Sequence, residues 1–293
     1  MDGDHLNPIQ PSLTAYRAAF SRAAHQVLDN PRLFEDPVAT RIIGGYETTL
    51  ICANPERYLT PAATHLRAFL VARSKFAEDE LACAILHGVH QYVIMGAGLD
   101  TFAYRNPYPP EVLQVFEVDH PATQAWKQER LQAVGIPIPA SLSFAALDFE
   151  TDSLEDQLPK AGFKTGDPAF FSWLGVTMYL SPGTVMNILK SIAGLARPSS
   201  EIVFDYALHQ ELLNPKQLLS YQVRAERLTR VDEPWKSTFE PDLLAASLKS
   251  IGFSVEEDLG MEEINARFFQ DSQEPLRVHG AAHLLKAKIN PKA

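Results

Sequence analysis

The stretch Tyr92-Val93-Ile94-Met95-Gly96-Ala97-Gly98-Leu99-Asp100-Thr101-Phe102-Ala103-Tyr104-Arg105 decides the fold. It opens on a short apolar run that stops at a glycine, the pattern of a strand buried on both faces. Glycines at a strand exit let the backbone approach a ligand where a side chain would block it, and the residues that follow can open a helix. A Gly-x-Gly pair alone is equally what a tight turn requires. Further apolar runs of strand length lie at 112–118, 142–147, 170–176 and 202–206, with helical patterns at 121–134, 154–161 and 182–196 between them. Strands alternating with helices predict an α/β fold with a parallel sheet covered on both faces and right-handed crossovers.

Before this alternation, residues 12–86 read as helical. Ser12 and Thr14 offer N-caps, alanines recur at three and four, Asn30-Pro31 breaks the first helix, and Asp36-Pro37 and Thr60-Pro61 open two more. After the fifth strand, a polar helical stretch at 210–230 interrupts the pattern as a lid or cap. A helix at 241–250 ends at Gly252, strand candidates follow at 253–256 and 281–288, and 261–269 is helical between them. This divides the chain into an N-terminal helical cap (1–85) and a sheet-centred domain (86–293) with a helical insertion at about 208–240.

The second strand ends at Phe116-Glu117-Val118-Asp119, and Asp119 follows Gly98 by 21 residues. That is the spacing of an acid that accepts from ribose hydroxyls, although Asp119 also stands where a helix N-cap would serve. A dinucleotide site would want a third glycine where this chain has Thr101, so pyrophosphate is poorly served. A cofactor with one ribose, no phosphate and an amino-acid tail fits better: S-adenosyl-L-methionine. At the third strand's end, Asp148 and Phe149 are placed to meet the adenine amino group and ring. The fourth strand runs out through Trp173-Leu174-Gly175-Val176-Thr177-Met178-Tyr179 at the switch point of such a sheet.

The 293 residues suit one large domain or two small ones. With 26 Lys plus Arg against 36 Asp plus Glu, the net charge of −10 argues against a protein that holds nucleic acid through its phosphates. No apolar run is long enough to span a bilayer. The acidic, polar start lacks the marks of a signal peptide, and two distant cysteines, Cys52 and Cys83, suggest no disulfide or zinc framework. A cytoplasmic setting is the expectation, with both cysteines buried as small hydrophobes. No metal site is expected.

These pieces resemble the leucine carboxyl methyltransferase family, including its bacterial S-adenosyl-L-methionine-dependent methyltransferases. GAGLDTFAYR (96–105) and FEVDHP (116–121) carry the resemblance most specifically. SLTAYRAAF (12–20), LFEDPVATRIIGG (33–45), VARSKFAED (71–79), ALDFE (146–150), VTMYLSP (176–182) and SIGFSVEEDLGMEEINARFF (250–269) extend it over most of the chain. The resemblance implies a Rossmann-like class I methyltransferase: a mostly parallel seven-stranded sheet with an antiparallel last strand, helices on both faces, and the N-terminal cap. It implies that Arg73 holds the carboxylate of the cofactor's methionine moiety. Gly96 and Gly98 line its amino-acid end, Asp119 binds its ribose, and Asp148 with Phe149 its adenine end; Asp100, His120 and Leu174 are counted with them as cofactor-binding. The family has a Glu where this chain has Leu174. The departure removes a carboxylate from the methionine-ammonium side, where a backbone carbonyl can take over. Tyr179 matches a family tyrosine near the active site.

Methyl transfer from a sulfonium is an in-line displacement that depends on alignment and desolvation. A carboxylate acceptor needs no base, whereas a hydroxyl acceptor benefits from one, and His209 and His120 are the candidates. The expected activity is O-methylation of a carboxylate or hydroxyl on a small molecule or a protein C-terminus. Arg224, Arg227 and Arg230, spaced by threes, would attract an acidic acceptor or simply form a solvated helix face. Two alternatives stay open: an NAD(P)-dependent oxidoreductase on a similar sheet, and a non-catalytic binding module that retains the fold.

Overall fold

The computed structural model describes residues 12–229, 234–270 and 276–291. One seven-stranded sheet organises it, in the order β3-β2-β1-β4-β5-β7-β6. The strands are β1 (Gln91–Met95), β2 (Gln114–Asp119), β3 (Leu142–Ala146), β4 (Ala169–Trp173), β5 (Glu201–Ala207), β6 (Phe253–Leu259) and β7 (Ala282–Ile289). β1 to β5 pair in parallel, while β7 runs antiparallel to both β5 and β6. The order reverses between β1 and β4, which opens a crevice at the C-terminal ends of the strands.

The helices are α1 (Leu13–Leu28), α2 (Ala39–Ile43), α3 (Gly45–Ala53), α4 (Pro61–Leu86), α5 (Pro121–Ala133), α6 (Leu154–Lys160), α7 (Pro182–Leu195), α8 (Pro215–Thr229), α9 (Pro241–Ser250) and α10 (Met261–Phe268). Local chemistry sets their starts. Thr60, His120 and Ser181 each accept a backbone N–H as N-caps, and each is followed by a proline whose fixed φ suits a first turn. The cap ahead of α5 is thus His120, not Asp119.

Each sheet face has its own core. On one, Phe116, Phe171, Trp173 and Phe204 pack against Leu158, Val185, Leu189 and Leu248 of α6, α7 and α9. On the other, Tyr92, Ile94, Phe170 and Val203 pack against Ala68, Ala72 and Phe76 of α4. Fully burying a side chain of this size contributes roughly 1.5–3 kcal/mol. The second core therefore joins residues on both sides of position 85. A third cluster joins Ala19 and Ala23 of α1 to Ile42, Ile43 and Ile51 of α2 and α3, and to Leu99 and Leu131.

Three expectations are corrected. No α-helix follows Gly98: the chain makes a short 3-10 turn (Phe102–Tyr104) and runs directly to β2. The Asp100 carboxylate accepts the Phe102 N–H at 2.8 Å, and Pro107, Pro109 and Pro110 then deny a helix its donors. β4 stops at Trp173 because Gly175 turns at φ +75°. Cys52 and Cys83 are exposed free thiols on the outer faces of α3 and α4.

Candidate active site

A cavity of about 1470 Å³ occupies the crevice. Its floor is formed by the ends of β1, β2, β4 and β5, and its walls by α1, α4 and the segment around α8. The β1 turn is built for close approach. Gly98 has φ +48°, and a Cβ there would lie 2.9 Å from Ala15 Cβ on α1. Gly96 has φ +66°, and a Cβ there would run into Val176. The first glycine thus admits the β4 exit, and the second admits the N-terminal helix.

Asp119 faces this turn. Its Oδ2 accepts the Gly98 N–H at 2.5 Å and its Oδ1 accepts the His120 N–H at 2.7 Å. Burial pushes its carboxyl above the usual range, and the two N–H donors pull it back toward ionisation. The carboxylate keeps lone pairs for further donors on the cavity side. Phe149 lines the cavity from the end of β3, with its ring 5.9 Å from that of Trp173.

Arg73 enters from α4. Its Nη1 donates to Asp205 Oδ2 at 3.0 Å, and Asp205 Oδ1 accepts the Gly175 N–H through a short bond. Gly175 is required here, because a Cβ would stand 2.7 Å from Arg73 Nη1. Leu174, Tyr179 and Asp100 also line the cavity.

The structure does not bring His120, Asp148 and His209 to the cavity wall. The His120 Nδ1 accepts the Ala122 N–H as the cap of α5. Asp148 Oδ1 accepts the Glu150 N–H in a local turn. His209 points toward Glu211, and its side chain is 41% exposed. The side chains of Arg224 and Arg227, and all of Arg230, lie outside the described residues.

Several wall residues escaped the sequence reading. Asp205 sits in the apolar fifth strand, and a lone acid among Ile202, Val203, Phe204 and Tyr206 was the available signal. His65 and His279 line the outer end of the cavity, with rings 4.1 Å apart. His65, Phe69 and Arg73 repeat every four residues on one face of α4, a stripe legible in the sequence.

A second network fixes the walls. Asp36, fully buried, accepts from Arg22 Nε at 3.1 Å and Thr101 Oγ1 at 2.7 Å, with Arg105 Nε at 3.4 Å. Arg22 also donates to the Leu99 carbonyl at 2.6 Å. Thr101, where a dinucleotide site would have glycine, instead ties the turn to the segment before α2. On the other wall, Gln217 of α8 donates to the Gly280 carbonyl at 3.1 Å, and the Lys236 N–H donates to Met178 at 2.7 Å.

Known proteins resemble this chain in sequence and in fold. The family model for leucine carboxyl methyltransferase matches residues 15–193. YktD of Bacillus subtilis (strain 168), provisionally named an S-adenosyl-L-methionine-dependent methyltransferase, is 33% identical over 95% of this chain and 98% of its own length. A protein of Parafrankia sp. (strain EAN1pec) with the same provisional name is 31% identical over 66% of this chain and 62% of its own. A crystal structure from Thermobifida fusca, provisionally described as a methyltransferase, superposes with a TM-score of 0.59 over 96% of both chains at 14% identity, a likeness of fold. The family model's span takes in the glycine turn, Asp119 and the β4 exit, and the Bacillus relative's match covers nearly the whole chain. The chain belongs to the leucine carboxyl methyltransferase family.

Proposed function

We propose that this chain transfers the methyl group of S-adenosyl-L-methionine to an oxygen, a carboxylate or hydroxyl, of a small molecule or a peptide C-terminus. The observation that carries this reading is the union of Gly98 and Asp119 at the β1 and β2 ends of a cavity whose far wall holds the Arg73–Asp205 pair. The residues fit the cofactor. A buried carboxylate with spare lone pairs suits ribose hydroxyls, an aromatic ring at Phe149 suits adenine, and a guanidinium at Arg73 suits an α-carboxylate. When bound, S-adenosyl-L-methionine supplies an electrophilic methyl group on a sulfonium.

The protein's share of the reaction is alignment and exclusion of water. Leu66, Phe69, Met178 and Trp235 give the outer cavity an apolar wall, which removes the hydration shell of an approaching oxygen. Cavities for a single ligand typically measure about 300–1,000 Å³, so about 1470 Å³ leaves room for an acceptor beside the cofactor. His65, the histidine of α4, stands two turns outward from Arg73, roughly 12 Å along the axis. That offset suits recognition of the acceptor's distal end, and an ionised carboxylate reacts without a base.

Calorimetry with S-adenosylhomocysteine, S-adenosyl-L-methionine and NAD tests the cofactor. Binding of the first two is expected; tight NAD binding without them would overturn the reading. Methyl-labelled cofactor incubated with candidate acids and alcohols tests the acceptor. Label released as methanol by mild alkali marks a carboxyl ester, and alkali-stable label marks a hydroxyl acceptor. Label found only on nitrogen or sulfur would exclude oxygen transfer.

A further inference from the structure

We infer that the methyl acceptor is an amphiphilic acid: an apolar body with an anionic group at the end remote from the methylated oxygen, received at the cavity mouth by Arg17, His65 and His279. This rests on the methyl-transfer reading above and names the class of acceptor for that site.

The charges of the cavity are sorted by depth. Among the described residues that line it, the carboxylates are Asp100, Asp119 and Asp205, all near the ends of β1, β2 and β5 on the floor. Each is engaged there: Asp119 by two backbone N–H groups, Asp205 by Arg73 and Gly175, and Asp100 by the Phe102 N–H. The mouth has no carboxylate among its described lining residues. It presents instead Arg17 from α1, His65 from α4 and His279 from the segment before β7. In a chain of net charge −10 this is a local reversal of sign, which guides an acid inward.

The other Arg and Lys side chains of the lining have partners in the protein. Arg22 pairs with Asp36, Arg73 with Asp205 and Lys236 with Glu150. Arg17 makes no ion pair among the described residues, so its guanidinium fork is open to an incoming acid. The rings of His65 and His279 stand 4.1 Å apart. An imidazole carries at least one N–H in either tautomer, so the pair brings two donors toward one anionic group. Between mouth and floor the wall changes character. Leu66 and Phe69 lie between His65 and Arg73 on α4, and Met178 and Trp235 add to the apolar surface. Such a belt favours a hydrocarbon or ring over a hydrated body. From the floor outward the order is polar, apolar, cationic. A hydroxy acid or a dicarboxylic acid with an apolar spacer has the matching order: an oxygen nucleophile, an apolar body and a distal acid.

Calorimetry on protein saturated with S-adenosylhomocysteine, titrated with octanoate and with octanamide, tests this. The two probes share a body and differ in the charge of the head. Wild type is expected to bind octanoate about tenfold or more tightly than octanamide, as a charge-assisted contact would give. In Arg17→Gln/His279→Gln, both at exposed positions, the preference falls to about threefold or less while octanamide binds as before. Equal affinities in wild type, no measurable binding of either probe, or a preference that survives in the variant would each overturn the inference. Its failure leaves S-adenosylhomocysteine binding intact, whereas failure of the cofactor reading shows as no binding of S-adenosylhomocysteine itself.

Discussion

Asp119 links the sequence motif to a measurable energy. It terminates β2, holds the glycine turn through the Gly98 N–H and faces the cavity. On the proposed cofactor reading, Asp119→Ala removes an acceptor for ribose hydroxyls, and it strands a backbone donor. The expected cost in affinity for S-adenosylhomocysteine is about 1–3 kcal/mol. Calorimetry reads this directly, and an affinity unchanged from wild type would remove Asp119 from the site. Its place beside the glycine turn was legible from an acid that follows Gly98 by 21 residues. Asp148 shows the limit of such reading. It lies just beyond the end of β3, where its short acidic side chain accepts the local Glu150 N–H in a turn, a contact that strand-end position alone does not foretell. Asp205 was not legible, since its pairing with Arg73 depends on how α4 packs against β5.

At the scale of elements, two buried charge pairs hold the site's walls in place. Asp36 ties α1, through Arg22, to the turn after β1, through Thr101 and Arg105. Asp36→Ala leaves two guanidinium groups short of a partner in a buried place. The expected destabilisation is about 3–5 kcal/mol, read as a lower denaturant midpoint; a loss under about 1 kcal/mol would show that the network does not anchor the cap. The other pair joins β2 to α5, with Lys127 Nζ 2.6 Å from Glu117 Oε2 and both side chains 1% exposed. Burial pushes the Glu117 carboxyl up to about 7, against the pull of Lys127. An acid whose folded pKa is raised binds its proton more tightly when folded, so its contribution to stability declines as pH rises from about 4.5 to about 7. Relative to the double variant Glu117→Gln/Lys127→Met, wild type is expected to lose up to about 3 kcal/mol across that window. Unfolding curves at several pH values would show it, and a difference independent of pH would mean Glu117 titrates as an ordinary carboxyl. The strands were legible because buried parallel strands are short apolar runs closed by glycine or an acid. The turn after Gly98 was not, because the first residues after a strand look alike whether they open a helix or cross directly to the next strand.

At the scale of the whole molecule, the question is whether the N-terminal helices are a separate cap or part of the binding machinery. The sequence shows a change of pattern near residue 86 but not what packs on what, and the structure runs a single core from α4 into the sheet. The cavity, too, is shared. Ala15 of α1 touches the space a side chain at Gly98 would fill, Arg22 holds the Leu99 carbonyl, and Arg73 of α4 reaches Asp205 on β5. A ligand lodged among these groups contacts both halves at once and stabilises them together. At about 100 times its dissociation constant, S-adenosylhomocysteine should stabilise the folded chain by about 2.7 kcal/mol. Hydrogen exchange locates that gain, because a segment gains protection only if its opening breaks contact with the ligand. Amides of α1 and of the N-terminal half of α4 should slow in step with those at the C-terminal ends of β1, β2 and β5. If only the strand ends slow, the ligand is held by the sheet alone and the chain divides at residue 86 into a cap and a binding domain. If both slow together, the helices before β1 are a wall of the site, and the acceptor as well as the cofactor must pass them to reach it.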